Sequence, residues 1–294
     1  MQNMRRLAAW LVATGLFFVL VSALPGAEPV GSGGVGQGSA LPRAEHPRPD
    51  LCRDNWMTLN GRWQFENDPN ADGDVRGLTY GKDLAGVIVV PFCPESKLSG
   101  LGLGNSERLK NVWYRRTFEL PAAMKGKRIR LHFGGVDYRA WVYVNGQFAG
   151  SHVGENVEFA FDITGMVKPG VNEVVVKVLD NMWSGLQPCG KQCFDKSWSC
   201  FYTRTTGIWQ PVWLEAVGSS FIESISVVPD PDNSRVLIEA RIDGRDRDLT
   251  IRAEAFADGK PVGTETADAT WQARLVVNLK DKRLWQPGAP FLYD

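Results

Sequence analysis

Between Tyr138 and Gly146 the chain alternates: Ala140, Val142 and Val144 fall on one face, Trp141 and Tyr143 on the other. That period of two predicts a strand with one face in a core. Asn145-Gly146 follows, a pair that readily takes the positive φ angles of a tight hairpin turn. Pro169-Gly170 is a second turn, leading into an apolar run over 174–179. Further strands are predicted over 63–66, 87–90, 113–119, 128–133, 158–161 and 210–215. No stretch beyond residue 47 sustains a helical period, and short strands punctuated by Gly and Pro indicate a sandwich.

A composition break near 217–219 marks a boundary. Beyond it strands are predicted over 222–228, 235–242, 249–256 and 273–279, with a turn at Asp258-Gly259. This spacing of roughly ten residues suits an immunoglobulin-like sandwich, which ordinarily takes ~100 residues. Fewer remain, and Phe291-Leu292-Tyr293-Asp294 reads as the opening of another strand, so the second sandwich is expected to be incomplete.

The N-terminus reads differently. Arg5 and Arg6 precede an uncharged run over 7–24, the order of a secretory signal, with cleavage after Ala23 or Ala27. The alternative is a retained N-terminal membrane anchor. Residues 28–40 shift to Gly, Ser and Pro, a flexible linker. The expected division is 1–27 signal, 28–46 linker, 47–217 first sandwich and 218–294 second sandwich. The product is expected to be exported, periplasmic or extracellular, with no membrane association after cleavage.

Charge narrows the partners. Lys and Arg number 33, Asp and Glu 33, and the formal net charge is +0, so nothing drives counterion release from nucleic acid. The 11 Trp suit all-β cores and sites where flat rings stack on ligands; Trp141, Trp183, Trp198 and Trp209 are candidates for stacking.

The motifs that might carry chemistry mostly fail on spacing. Asp68-Pro69-Asn70-Ala71-Asp72-Gly73-Asp74 resembles the head of a calcium loop, but the closing position, which needs a bidentate Glu, holds Thr79. It reads as a turn. Cys52, Cys93, Cys189, Cys193 and Cys200 match no zinc spacing. Export would permit a disulfide among them, with the pairing open. Asn172-Glu173 resembles the Asn-Glu pair of many glycosidases, yet it follows the Pro169-Gly170 turn and opens a sandwich strand, so it reads as structural. His46, His132 and His152 lie in no triad context. No catalytic residue, metal site or cofactor is expected.

Several segments, taken in order, resemble glycoside hydrolase family 2, the family of β-galactosidases, β-glucuronidases and β-mannosidases. They are Leu59-Asn60-Gly61-Arg62-Trp63-Gln64-Phe65, Val90-Pro91-Phe92-Cys93-Pro94-Glu95-Ser96, Trp113-Tyr114-Arg115-Arg116-Thr117-Phe118 and His132-Phe133-Gly134-Gly135-Val136-Asp137-Tyr138. Val142-Tyr143-Val144-Asn145-Gly146, Gly190-Lys191-Gln192 and the run from Tyr202 through Gly207-Ile208-Trp209 to Glu215 continue the series. Leu284-Trp285-Gln286-Pro287 with Phe291-Leu292-Tyr293 resembles the end of the family's second domain.

The resemblance implies an all-β chain: a galactose-binding-like jelly roll, then an immunoglobulin-like sandwich. A (β/α)₈ barrel holding both catalytic glutamates would follow, and is not in this sequence. It further implies that loops of the first domain reach the barrel's sugar site. Where some members carry an Asp shortly before the Gly matching Gly207, this chain has Phe201. Asp180, Asn181, Lys191 and Gln192 remain the candidate polar edge. Two function classes follow: the non-catalytic N-terminal portion of an exported family 2 glycosidase whose partner is a β-glycoside, or a free-standing carbohydrate-binding or adhesion module.

Overall fold

The computed structural model describes residues 9–13, 41–244 and 246–294. Residues 28–40 of the proposed linker 28–46 and most of the proposed signal lie outside them; residues 41–46, expected as linker, belong to the larger unit instead, and Ala9–Ala13, within the proposed signal, forms strand β1. The chain divides into two compact units, one of Leu41–Arg48 and Cys52–Gly218, the other holding Pro49–Leu51 and Ser219–Asp294.

The larger unit is built from β2 (Trp56–Thr58), β3 (Gly61–Asn67), β4 (Gly86–Val90), β5 (Asn111–Glu119), β6 (Arg128–Phe133) and β7 (Val136–Asp137). It continues with β8 (Arg139–Val144), β9 (Gln147–Val153), β10 (Phe159–Asp162), β11 (Val171–Leu179), β12 (Gly207–Ile208) and β13 (Val212–Val217). A six-stranded sheet, β4-β3-β5-β11-β8-β9, faces a four-stranded sheet, β10-β6-β13-β2. Alternation decides which side chains meet between them. Val174, Val176 and Val178 of β11 and Val142 and Val144 of β8 share one core with Ile129, Leu131 and Phe133 of β6 and Val212 and Leu214 of β13. Trp141 and Tyr143 take the opposite face of β8, as the period of two requires. The Asn145-Gly146 turn joins β8 to β9, with φ of 50° and 77°.

Among the described residues three short segments are helical, each a single 3₁₀ turn: Lys97–Ser99, Ala122–Met124 and Met182–Ser184. No helix among the described residues is long and apolar enough to cross a membrane. β9 escapes the sequence pattern because it is an edge strand whose sequence Gln-Phe-Ala-Gly-Ser-His-Val does not alternate.

The chain from Leu41 already packs with the larger unit. Asn60, fully buried, donates through Nδ2 to the carbonyls of Pro42 (3.3 Å) and Arg43 (3.2 Å) and accepts from Val212 N at 3.0 Å.

The Asp68–Asp74 motif is a lid on the outer face of the six-stranded sheet. The Asp68 carboxylate accepts from Asp72 N (3.1 Å), Gly73 N (2.9 Å) and the Trp113 indole N–H (2.9 Å). Leu78 and Leu84 then cover Trp113 and Val175. Gly73 is required there, since a Cβ would stand 2.4 Å from the Trp113 ring.

The smaller unit contains β14 (Phe221–Asp230), β15 (Arg235–Asp243), β16 (Leu249–Ala257), β17 (Lys260–Asp268) and β18 (Gln272–Asn278). They form two sheets of an immunoglobulin-like sandwich, β14-β15-β18 and β16-β17, the latter extended along β16 by β1 from the proposed signal segment, which cleavage would remove. Ile222, Ala240, Ile251, Ala253, Leu275 and Val277 make its core. Asp294 exchanges both backbone hydrogen bonds with Phe256 on β16, at 2.7 and 3.0 Å.

Candidate functional site

At one end of the larger sandwich, four chain segments converge. Asp137 closes β7 opposite Gly207 of β12. Asp180 follows β11, its N–H held by Lys110 O at 2.8 Å. Glu95 arrives on the loop after β4, and Thr206 stands just before β12. All four are buried.

Their hydrogen bonds come from neutral groups. Asp180 accepts from Gln187 Nε2 (2.7 Å) and Thr206 Oγ1 (2.9 Å). Asp137 Oδ2 accepts from Gln192 Nε2 at 2.9 Å, and Glu95 Oε2 from Thr206 N at 3.2 Å. Asp137 Oδ1 and Glu95 Oε1 have no hydrogen-bond partner among the described residues.

Burial without a matched cation raises all three acids. The Asp137 carboxyl is pushed up to about 8, by desolvation first and then by the Asp180 charge, against the Gln192 hydrogen bond. Asp180 and Glu95 are raised chiefly by burial. The Tyr114 hydroxyl, fully buried beneath Gly207, is raised by burial and by Glu95. Gly207 has a φ of 76°, and a Cβ there would meet Tyr114 Oη at 2.2 Å, so only glycine closes this end.

The nearest buried cation is committed to the loop above. Arg204 donates to the carbonyls of Phe194 (2.9 Å) and Glu107 and lies 5.1 Å from the Trp183 ring centre. It holds the loop and lowers Asp180 only as a secondary influence.

Among the residues expected from sequence, Asp180 and Gln192 meet in this cluster. Asn181 contributes its backbone N–H, to Gln187 Oε1 at 2.9 Å. Lys191 is exposed, and its carbonyl accepts from Tyr202 N. Asp137, Glu95, Thr206 and Gln187 were missed. Asp137, Glu95 and Thr206 lie in the segments that resemble the family, but only the topology brings them together.

Other candidates prove structural. Glu173 is buried in β11 between β5 and β8, held by Arg115 Nε at 2.6 Å and Gly81 N at 2.9 Å. All five cysteines are free thiols, and burial and the Glu95 charge push Cys93 up to about 11.

The comparisons agree with this architecture. Residues 105–216 match the family model "Glycosyl hydrolases family 2, sugar binding domain". They are a family 2 sugar-binding domain.

A Paenibacillus borealis β-glucuronidase is 25% identical over 260 residues, 84% of this chain and 42% of that protein. A Thermoanaerobacter pseudethanolicus β-galactosidase is 30% identical over 193 residues, 62% of this chain and 25% of that protein. A solved structure of Ruminococcus gnavus β-glucuronidase with D-glucuronic acid shares the fold, with a TM-score of 0.63 at 23% identity, over 83% of this chain and 43% of that one. The chain therefore spans less than half the length of these relatives, and it is the sugar-binding N-terminal part, all-β, that it shares with them.

Proposed function

We propose that this chain is the non-catalytic, sugar-facing portion of an exported family 2 glycosidase acting on β-glycosides, with the Asp137–Asp180–Glu95 end of the sandwich turned toward the sugar. One observation carries the reading: buried carboxylates bonded only by amides and hydroxyls, with oxygens left over. These acids are buried, so what would meet a ligand is the loop held above them by Gln187, Gln192 and Thr206. Gln187 and Gln192 hold the two aspartates in place as neutral donors, a geometry suited to a neutral, hydroxyl-rich ligand.

Hydrolysis needs more than this. A retaining glycosidase places an acid/base and a nucleophile roughly 5–5.5 Å apart on a rigid frame, with water delivered to the anomeric carbon. Glu173, the one acid in an Asn-Glu pair, has its carboxylate engaged by Arg115 and Gly81. The catalytic pair is thus assigned to a barrel outside this chain. Export rests on Arg5-Arg6 and the uncharged run after them.

The test is turnover by the purified chain on nitrophenyl β-galactoside, β-glucuronide and β-mannoside, beside Glu173→Gln. No turnover is expected from either. Turnover that disappears in Glu173→Gln would overturn the reading.

A further inference from the structure

Two of the three histidines meet at one buried carboxylate, that of Glu215 on β13. His132, on the neighbouring strand β6, brings its Nε2 within 3.5 Å of Oε2. His46, on the segment Leu41–Arg48 ahead of β2, brings its Nε2 within 3.6 Å of Oε1. The two imidazole side chains are 11% and 10% exposed, and neither Nε2 has a hydrogen-bond partner among the described residues.

The rings are held differently. His132 sits in β6 between β10 and β13 and stacks flat on Trp213, with ring centres 4.8 Å apart. His46 meets Trp56 edge-on at 4.7 Å, and its segment pairs with no strand. Among the ties of that segment are the Asn60 amide, on the carbonyls of Pro42 and Arg43, and an ion pair from Arg48 to Glu158 at 3.2 Å.

Charge decides what acid does here. Arg53 Nε already donates to Glu215 Oε2 at 2.6 Å, and the Trp213 indole to Oε1 at 2.8 Å. A neutral His46 with its proton on Nε2 faces the carboxylate and accepts from Arg48 N at Nδ1, at 3.1 Å. A further proton goes to Nδ1, where the Arg48 carbonyl stands 3.0 Å away, so a hydrogen bond is exchanged rather than lost. What is added is a buried positive charge, beside a carboxylate that one guanidinium already matches.

Burial is the largest influence on both rings. Glu215 opposes it, and Arg53 and Arg48, with Arg130 at His132, add to it, so His46 is held below the ordinary histidine value and His132 is pushed down to about 4. The docked segment thus favours the neutral ring, and its hold is full above 6.5 and weakens as pH falls below that value. His132, fixed in the sheet, stays neutral to about 4.

We infer that Leu41–Arg48 is an acid-released strap: neutral His46 seats it on Glu215, and the imidazolium leaves the sheet and carries the segment into water.

The peptide bond after Glu45 reports release, because the Glu45 side chain is 68% exposed and precedes the seated ring. The full chain is digested at pH 7.5 and pH 5 with a protease that cleaves after glutamate and is active at both. Mass spectrometry follows cleavage between Glu45 and His46, normalised to a synthetic peptide of residues 41–50 at the same pH. Wild type is compared with His46→Gln, which keeps a neutral donor toward Glu215 and cannot gain charge. The normalised rate should rise at least about fivefold from pH 7.5 to pH 5 in wild type and stay level in His46→Gln. In parallel, NMR of the wild type follows the His46–Trp56 and His132–Trp213 ring contacts. The first should vanish at pH 5 while the second persists.

A wild-type rate that does not change with pH would overturn the strap. An equal rise in His46→Gln would do the same, since the imidazole would then not be the sensor. Loss of both ring contacts at pH 5 would replace release with general acid unfolding of the sandwich. Should His46→Gln fail to fold, the wild-type contacts decide alone, and a His46–Trp56 contact that survives at pH 5 refutes the proposal.

Discussion

The larger sandwich buries carboxylates in two places, and they are partnered in opposite ways. On the outer face of the four-stranded sheet, Glu215 is 2% exposed and accepts from Arg53 Nε at 2.6 Å and from the Trp213 indole at 2.8 Å. His46 Nε2 and His132 Nε2 flank it at 3.6 and 3.5 Å. Burial pushes the Glu215 carboxyl up, but His132, Trp213 and Arg53 outweigh it and hold it below the ordinary range. At the end of the sandwich, Asp137 and Asp180 are equally buried, but amides and a hydroxyl are their partners and their carboxyls rise. An acid matched by a guanidinium and an indole is scaffolding. An acid left with neutral donors is raised instead, and its charge becomes a cost to the fold.

Removing the charge from each should separate the two kinds most sharply. Glu215→Gln removes the charge that accepts from Arg53, whose side chain is only 18% exposed, and from the Trp213 indole, and the larger unit should lose about 3 kcal/mol at neutral pH. Because the folded-state pKa is depressed, this contribution exists above the ordinary Glu value and disappears as pH falls through the folded one. Urea melts at pH 7 and pH 3.5 should show the penalty shrinking in acid. A penalty that grows in acid would break the comparison.

Asp137→Asn should run the other way. Its folded-state pKa is raised from 3.8 to about 8, so the wild type is at its best below pH 3.8 and loses stability as pH rises through about 8. Asn is neutral throughout and keeps an oxygen for Gln192. The variant should therefore gain on the wild type progressively between pH 4 and pH 8, measured as a difference in Tm across that range. A variant less stable than the wild type at pH 8 would mean that Asp137 is ionised and matched after all.

The smallest effect belongs to Lys191→Ala. The side chain is exposed, and only its backbone carbonyl takes part in the loop ladder, so stability should change by no more than about 0.5 kcal/mol. A larger loss in thermal unfolding would place the ammonium inside the site.

Much of the frame was legible in the chain itself. The alternation over 138–146 and the Asn-Gly turn specify β8 and its hairpin, because one buried face fixes the register of the whole strand. β9 and β17 were not legible: both are edge strands, and β17 carries Pro261, which an edge tolerates. The site was only half visible. Asp180 and Gln192 lie in one stretch of the chain, but Glu95 and Asp137 reach them through sheet topology, which no local pattern encodes.

The hairpin at Asn145-Gly146 also governs how this protein ages. Asn-Gly is the dipeptide most prone to deamidation, because the glycine nitrogen readily attacks the preceding side-chain amide to form a cyclic imide. Here that amide is pinned: Asn145 Nδ2 donates to Met166 O at 2.8 Å and to Asn172 Oδ1 at 2.9 Å, and its Oδ1 accepts from Glu173 N at 3.0 Å. The side chain cannot swing toward the glycine while β8 and β11 stay paired. Deamidation at this position thus becomes a chemical record of how often the sheet has opened. Once written, the record is damaging, since the new carboxylate faces the acceptors Met166 O and Asn172 Oδ1 with no proton to offer them.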